Sequence, residues 1–347
     1  MPGFTPPWWL RNAHAQTVFG RIVRPRRLVE LERETIETPD GDELVLDHLR
    51  AGGRKPAAGG GDLPAAGREP HAHFLLLHGL EGSSNSVYMQ GMLSAIARRG
   101  MSATALNFRS CARDPKNLSR MLTNRRPRFY HSGETGDFDF VVQTLAKRSP
   151  STTFFAVGAS LGGNALLKWL GEHPRQTTIA AAATISVPYD LGAGAIHLEQ
   201  SWGGRLYVNR FLNTLKEKVK RVSEKFPETN LDLDRVTHSR TFREFDDAAT
   251  APLHGFRDAD DYYTRSSSLF FLPKITTPVL CISAEDDPFL PREALERARA
   301  AASPSVHFVT TPHGGHVGFV GESMTYWAEE LAVEWLLAPH ECAGSRR

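Results

Sequence analysis

This sequence predicts a doubly wound α/β fold, a mostly parallel sheet with helices on both faces, and three observations carry the prediction. Apolar runs of five to eight residues recur along the chain, separated mostly by stretches of helical period. Within each run the apolar residues are near-continuous rather than alternating, the pattern of strands covered on both faces. The string Gly158-Ala159-Ser160-Leu161-Gly162 lies between one such run and a helical pattern. That strand, tight turn and helix layout exposes a serine oxygen at the tip of the turn.

In chain order, the strands begin with a hairpin. Glu34 to Thr38 is followed by the turn Pro39-Asp40-Gly41-Asp42 and by Glu43 to Arg50, where Leu44, Leu46 and His48 alternate. Residues 51–70 are mostly Ala, Gly and Pro, a surface loop with little to bury. Six further strands are expected at His73 to Leu77, Ser102 to Phe108, Thr153 to Val157, Ala180 to Val187, Pro278 to Ser283 and Val306 to Thr310, making eight with the hairpin. Helices fill the gaps. Ser86 to Arg99 is stopped by Gly100, Glu134 to Arg148 follows, and Leu161 to Glu172 ends before Pro174. Pro291 to Ala302 starts on a proline, and Glu322 to Leu337 closes the pattern.

Between about Leu198 and Ser268 strand signals stop. Val208, Phe211, Leu212, Leu215, Val219, Val222 and Phe226 recur there at helical spacing, with Lys and Arg on the opposite face. The sheet pattern resumes directly afterwards, which favours a helical cap over a separate module. The expected organisation is an N-terminal arm at 1–30, a core at 31–197 and 269–340, and a cap at 198–268 over the C-terminal edge of the sheet, where open α/β folds bind ligands.

The 347 residues are enough for one large α/β domain with an insertion. Apolar residues at 41% and charged residues at 23% are ordinary for a globular protein, and a net charge of +2 is too small to argue for nucleic acid or an anionic membrane surface. Cys111, Cys281 and Cys342 form no disulfide framework and no metal spacing, so a reducing compartment is expected. No window approaches the ~18 apolar residues that span a bilayer, and no secretion signal precedes the fold. A cytoplasmic protein without integral membrane contact is the expectation. Trp8-Trp9-Leu10 is expected to pack the N-terminal arm onto the body, with contact to a membrane interface as the lesser alternative, since no basic amphipathic helix accompanies it.

A serine needs an imidazole to take its proton, and the imidazole needs a carboxylate to hold its tautomer. In this architecture the chain order is Ser, acid, His. After Ser160, the strand ending at Ser283 runs into Ala284-Glu285-Asp286-Asp287-Pro288. Asp287 is the preferred acid because Pro288 holds it extended; Asp286 and Glu285 are its rivals. The last strand runs into Pro312-His313-Gly314-Gly315-His316, where the glycines let the loop bend back and favour His316 over its neighbour His313. A metal bound by the two histidines is disfavoured for want of a third ligand. Oxyanion donors are expected from the N–H of Leu161 and, in the loop His78-Gly79-Leu80-Glu81-Gly82, from that of Leu80. His78 is read as a structural histidine. No cofactor is required.

These residues lie within longer stretches. RNAHAQT (from Arg11), HGLEGSSNS (from His78), NFRSC (from Asn107), YHSGET (from Tyr130) and VGASLGGNALLKWLGE (around Ser160) are joined by ISVPYDL (from Ile185), RTFREFDD (from Arg240), SAEDDPFLP (from Ser283) and HGGHVGF (from His313). With these stretches the chain resembles the YheT-like α/β-hydrolases, the group that includes the membrane-anchored eukaryotic α/β-hydrolase-domain lipases. The resemblance implies an α/β-hydrolase fold and a Ser-Asp-His relay, which by motif falls on Ser160, Asp287 and His316. It also implies esterase or lipase action on small-molecule carboxylic esters. Unlike the eukaryotic members, this sequence has no N-terminal membrane span, which argues against bilayer lipids as substrates. Thioester or amide hydrolysis, acyl transfer, and a non-catalytic binding role are the rival readings, and oligomeric state is left open.

Three features stand apart from this set. The Arg-rich stretch Arg109 to Arg128 is read as a solvated face, with attraction of an anionic substrate as the sharper alternative. Asp258, Asp260 and Asp261 are expected to pair with Arg243, Arg257 or Arg265 rather than bind calcium. Arg240 to Asp247 is expected to join insertion and core.

Overall fold

The structure, a computed structural model, describes residues 3–51 and 72–339. The Ala/Gly/Pro-rich segment past residue 51 and Cys342 lie outside the described residues. Eight strands form the main sheet: β1 (Glu32–Glu37), β2 (Glu43–Leu49), β3 (Ala72–Leu77), β4 (Ser102–Asn107), β5 (Thr153–Ala159), β6 (Ile179–Ile185), β7 (Val279–Ala284) and β8 (Val306–Thr311). Their order is β1-β2-β4-β3-β5-β6-β7-β8. β2 is antiparallel to both β1 and β4, and every other pairing is parallel. β4 and β5 both flank β3, so chain order reverses there and the loops after β3 and β5 leave the same edge side by side. This is where open sheets bind ligands.

The helices are α1 (Ala13–Val23), α2 (Val87–Arg98), α3 (Gly136–Arg148), α4 (Leu161–Glu172), α5 (Leu191–Gln200), α6 (Trp202–Lys225), α7 (Leu233–His238), α8 (Phe242–Phe245), α9 (Ala251–His254), α10 (Ala259–Ser266), α11 (Arg292–Ala301) and α12 (Trp327–Leu337). Alternate side chains of each central strand supply two cores. Leu75 and Leu77 of β3 pack with α3, α4 and α11, while Phe74 and Leu76 pack with α2 and α12. Burial on both faces is the physical reason that the strands read as unbroken apolar runs.

Helices α5 to α10 form a layer that contains no strand among the described residues. Val208, Leu212, Leu215, Val219 and Val222 of α6 are buried against Phe129, Phe245 and Phe289, so the apolar stripe does face inward. Lys218 departs from the expected basic outer face and is buried at 3% exposure.

Elsewhere the structure departs from expectation for identifiable reasons. The N-terminal stretch contains a full helix, α1, capped by the Asn12 side chain, which accepts from Ala15 N at 3.0 Å. Its stability is tertiary. Gln16 is fully buried and donates to the carbonyls of Leu10 and Val320, while accepting from Val320 N at 2.8 Å. Leu10 is buried as expected, but Trp8 and Trp9 are 81% and 50% exposed and do not pack the arm. The last helix starts at Trp327 rather than Glu322, because Gly321 to Thr325 close a turn instead.

The Arg-rich stretch is not a solvated face throughout. Arg109 is 3% exposed and holds Asp137 through two nitrogens at 2.7 and 2.8 Å, with further contacts to Asp42 and Asp40. It locks the β1–β2 turn to α3. Arg240 to Asp247 binds within the helical layer rather than to the sheet: Arg243 pairs with Asp260, Asp247 accepts from Ala259 N, and Asp246 accepts from Tyr263 and Thr250. Asp258 and Asp261 pair with Arg257 and Arg265, and Asp258 also caps α10.

Candidate active site

The turn between β5 and α4 is dictated by space. Ser160 has φ 51° and ψ −120°, a conformation that costs a non-glycine residue energy and that its surroundings must enforce. Its N–H donates to Ile185 O at 2.8 Å, and its own carbonyl accepts from Asn164 N. A Cβ on Gly158 would lie 2.6 Å from Gly162 O, and one on Gly162 would lie 2.4 Å from Leu77 O. Both glycines are therefore required by close backbone approach, which is the reason for the G-x-S-x-G spacing.

The loop after β8 brings His316 to the same point. Its Nε2 is 2.9 Å from Ser160 Oγ, and its Nδ1 is 2.9 and 3.1 Å from the two Asp287 oxygens. The carboxylate can only accept, so Nδ1 carries the proton and Nε2 accepts from the serine hydroxyl. Asp287 is 4% exposed, and its Oδ1 also accepts from Phe289 N at 2.9 Å. The imidazole stacks on the Phe289 ring with centroids 4.1 Å apart. The expected serine, acid and histidine thus meet.

The rival acid has a different task. Asp286 Oδ1 accepts from Gly315 N at 2.9 Å, and its Oδ2 pairs with His313. It orders the histidine loop without touching His316. Gly314 and Gly315 are there for close approach as well as bending: a Cβ on Gly315 would lie 2.4 Å from Ala13 O of α1. The following Val317 and Phe319 both have positive φ, held by Val317 N donating to Ser186 Oγ and Phe319 N to Gly314 O.

The β3 loop passes directly beside the serine. A Cβ on Gly79 would sit 3.1 Å from Ser160 Cβ, and Gly79 N is held by Tyr88 Oη at 2.8 Å. The N–H of Leu80 has no hydrogen-bond partner among the described residues. Leu161 is the first residue of α4, so its N–H has no carbonyl one turn back within the helix. His78 is wholly buried, with Nδ1 donating to Gly79 O and Nε2 accepting from Phe108 N. Burial pushes its pKa down to about 4, so it stays a neutral strut.

Sequence reasoning missed several supports. Thr17 Oγ1 accepts from His316 N at 2.9 Å; its signal was the RNAHAQT stretch. Lys218 on α6 donates to Glu81 Oε1 at 2.5 Å and lies 3.4 Å from Cys111 Sγ. Burial would raise the Glu81 pKa, but the Lys218 charge together with hydrogen bonds from Lys218, Tyr130 and Thr214 outweighs it and holds that carboxyl below its usual range. No sequence pattern distinguishes Lys218 from the exposed lysines around it. A cavity of about 780 Å³ opens above Ser160, walled by Leu80, Phe129, Leu198, Phe211 and Leu215 among others.

Residues 72–323 match the family described as alpha/beta hydrolase fold, and the chain belongs to it. Within that class it is a YheT-like α/β-hydrolase. It is 34% identical over 337 residues to "Putative esterase YheT" of Escherichia coli (strain K12), covering 96% of this chain and 92% of that one. It is 32% identical to "Phospholipase ABHD3" of Mus musculus, covering 91% of this chain and 73% of the other. The Pyrococcus furiosus esterase Pf2001 superposes with a TM-score of 0.55 at 14% identity over 96% and 95% of the two chains, a likeness of fold alone. No helix among the described residues is long and apolar enough to cross a membrane.

Proposed function

We propose that the protein is a serine hydrolase of carboxylic esters working through Ser160, His316 and Asp287. The observation carrying this reading is the unbroken hydrogen-bond chain from Ser160 Oγ through His316 to buried Asp287 at the floor of the cavity. Relatives named esterase and phospholipase support ester cleavage in particular.

As Ser160 Oγ attacks the ester carbonyl, its proton passes to His316 Nε2, and Asp287 stabilises the imidazolium. The carbonyl oxygen becomes an oxyanion that accepts from the N–H groups of Leu80 and Leu161, each such donor contributing about 3 kcal/mol. Collapse breaks the bond to the alcohol oxygen, which takes the proton from Nε2. The acyl group remains on Oγ. Water then attacks this acyl-enzyme, gives a proton to His316, and releases the acid while the proton returns to Ser160. A volume near 780 Å³ with mainly apolar walls suits an acyl chain. Free, buried Cys111 and Cys281 fit a cytoplasmic setting.

Ser160→Ala should lower turnover of aryl esters by about 10⁴–10⁶-fold and abolish fluorophosphonate labelling. Labelling that persists in this variant, on another residue, would refute the assignment.

A further inference from the structure

Buried tryptophan is the norm in a folded protein, and a large apolar patch left in water usually marks a surface that meets something. Trp8 is 81% exposed and Trp202 77%, with Trp9, Ile22, Val23 and Leu206 also exposed. They lie on segments that touch. The Trp9 ring is 5.4 Å from Phe19 of α1, and His14 of α1 stacks on Tyr207, five residues after Trp202 in α6. A Cβ on Gly203 would lie 2.9 Å from the His14 ring. The N-terminal segment and the start of α6 therefore adjoin, and this composite surface carries exposed aromatic and aliphatic side chains from both.

The charge of that face is one-sided although the chain is nearly neutral. Residues 1–29 hold Arg11, Arg21, Arg24, Arg26 and Arg27 and no acidic residue. Residues 201–216 hold Arg205, Arg210 and Lys216, and the first acid after them is Glu217. Arg24 is neutralised by Glu329. Arg11, Arg21, Arg26, Arg27 and Arg210 are exposed and form no ion pair among the described residues. Packing around its guanidinium first, and then repulsion from Arg210 and Arg26, lowers the pKa of Arg21, which is exposed over the rest of its length.

We propose that this face docks on an anionic lipid surface. Tryptophan rings suit the boundary between headgroups and acyl chains, and unpaired guanidiniums suit phosphate. Continuity with the cavity favours lipid over a protein partner: the exposed residues Arg21, Ile22, Arg26 and Arg210 line the same cavity as Ser160. An interfacial layer touching the tryptophans would thus lie against that cavity, whatever reaction the site performs.

The test is flotation of the full chain, as wild type and as Ser160→Ala, with phosphatidylglycerol-containing vesicles and with pure phosphatidylcholine vesicles. Association should be at least about tenfold stronger on the anionic vesicles and should weaken with added salt. A Trp8→Ala/Trp202→Ala variant should lose most of it, and Trp8→Phe/Trp202→Phe should retain it. Neither position lines the cavity, so hydrolysis of a short water-soluble ester should be unchanged. Equal binding to both vesicles, or full binding by the alanine variant, overturns the proposal. So does self-association without lipid that the alanine variant abolishes, which would assign the face to a second copy. Because association is read without turnover, its failure would leave the hydrolase reading standing.

Discussion

The elbow around Ser160 and the helical layer above it are held by different means. At the elbow, backbone meets backbone: Gly162 has Leu77 O and His78 O within 2.5 Å of where a Cβ would stand. The helical layer is held by side chains, through the α6 stripe and the buried Lys218–Glu81 bridge. Backbone contacts have no rotamer freedom and cannot yield, whereas side-chain contacts can repack. Ser160 therefore sits on the rigid part, and the cavity walls belong partly to the adaptable part.

The sharpest way to break this comparison is at the acid. Asp287→Asn should cut ester turnover by about 10⁴-fold, since an amide no longer holds the required imidazole tautomer. Asp286→Asn, which loosens only the His313 loop, should cost about tenfold or less. Similar losses in steady-state kinetics would show that loop order and proton handling are not separable here.

The bridge comes next. Lys218→Met should destabilise the protein by about 3–5 kcal/mol in denaturant melts, because it leaves the Glu81 carboxylate buried without its cation. Adding Glu81→Gln should recover much of that. An exposed pair such as Arg221–Glu217, broken in the same way, should cost about 0.5 kcal/mol.

Gly162→Ala should cost about 2–3 kcal/mol and depress turnover beyond what lost folded protein explains. An alanine at the open position Gly255 meets no neighbouring atom; its cost, about 1 kcal/mol, comes only from a φ of 70°. Full activity in Gly162→Ala would show that the elbow can yield after all.

A further expected effect is electrostatic and appears only as the pH changes. Burial of Asp246 beneath the helical layer pushes its pKa up to about 7 from an ordinary 3.8. A carboxyl raised on folding contributes stability that is full below its unfolded value and is lost as the pH rises through the folded one. Between pH 5 and pH 8 the wild type should therefore lose about 2–3 kcal/mol more than Asp246→Asn. Parallel melting curves for the two across that range would place Asp246 in a wetter site than its burial implies.

Much of this was legible in advance because its causes are local. Apolar runs at β3 to β7 are continuous because both faces are covered, and Gly158 and Gly162 are glycines because the turn forbids a Cβ. Asp287 stands where a strand end meets Pro288, and His316 where two glycines follow the last strand. Helix α1 was not legible. Its eleven residues include Gly20 and several β-branched side chains, and what holds it is Gln16 reaching Val320 some three hundred residues away.

Local chemistry, then, was sufficient to predict the sheet, the elbow and the order of serine, acid and histidine, since period, turn sterics and strand ends are properties of neighbouring residues. Which lysine would be buried and which tryptophans would stay in water were decided only by tertiary structure. Those outcomes depend on what arrives from elsewhere in the chain. Burial and charge pairing are energies of encounter, and neighbours in sequence do not encode them.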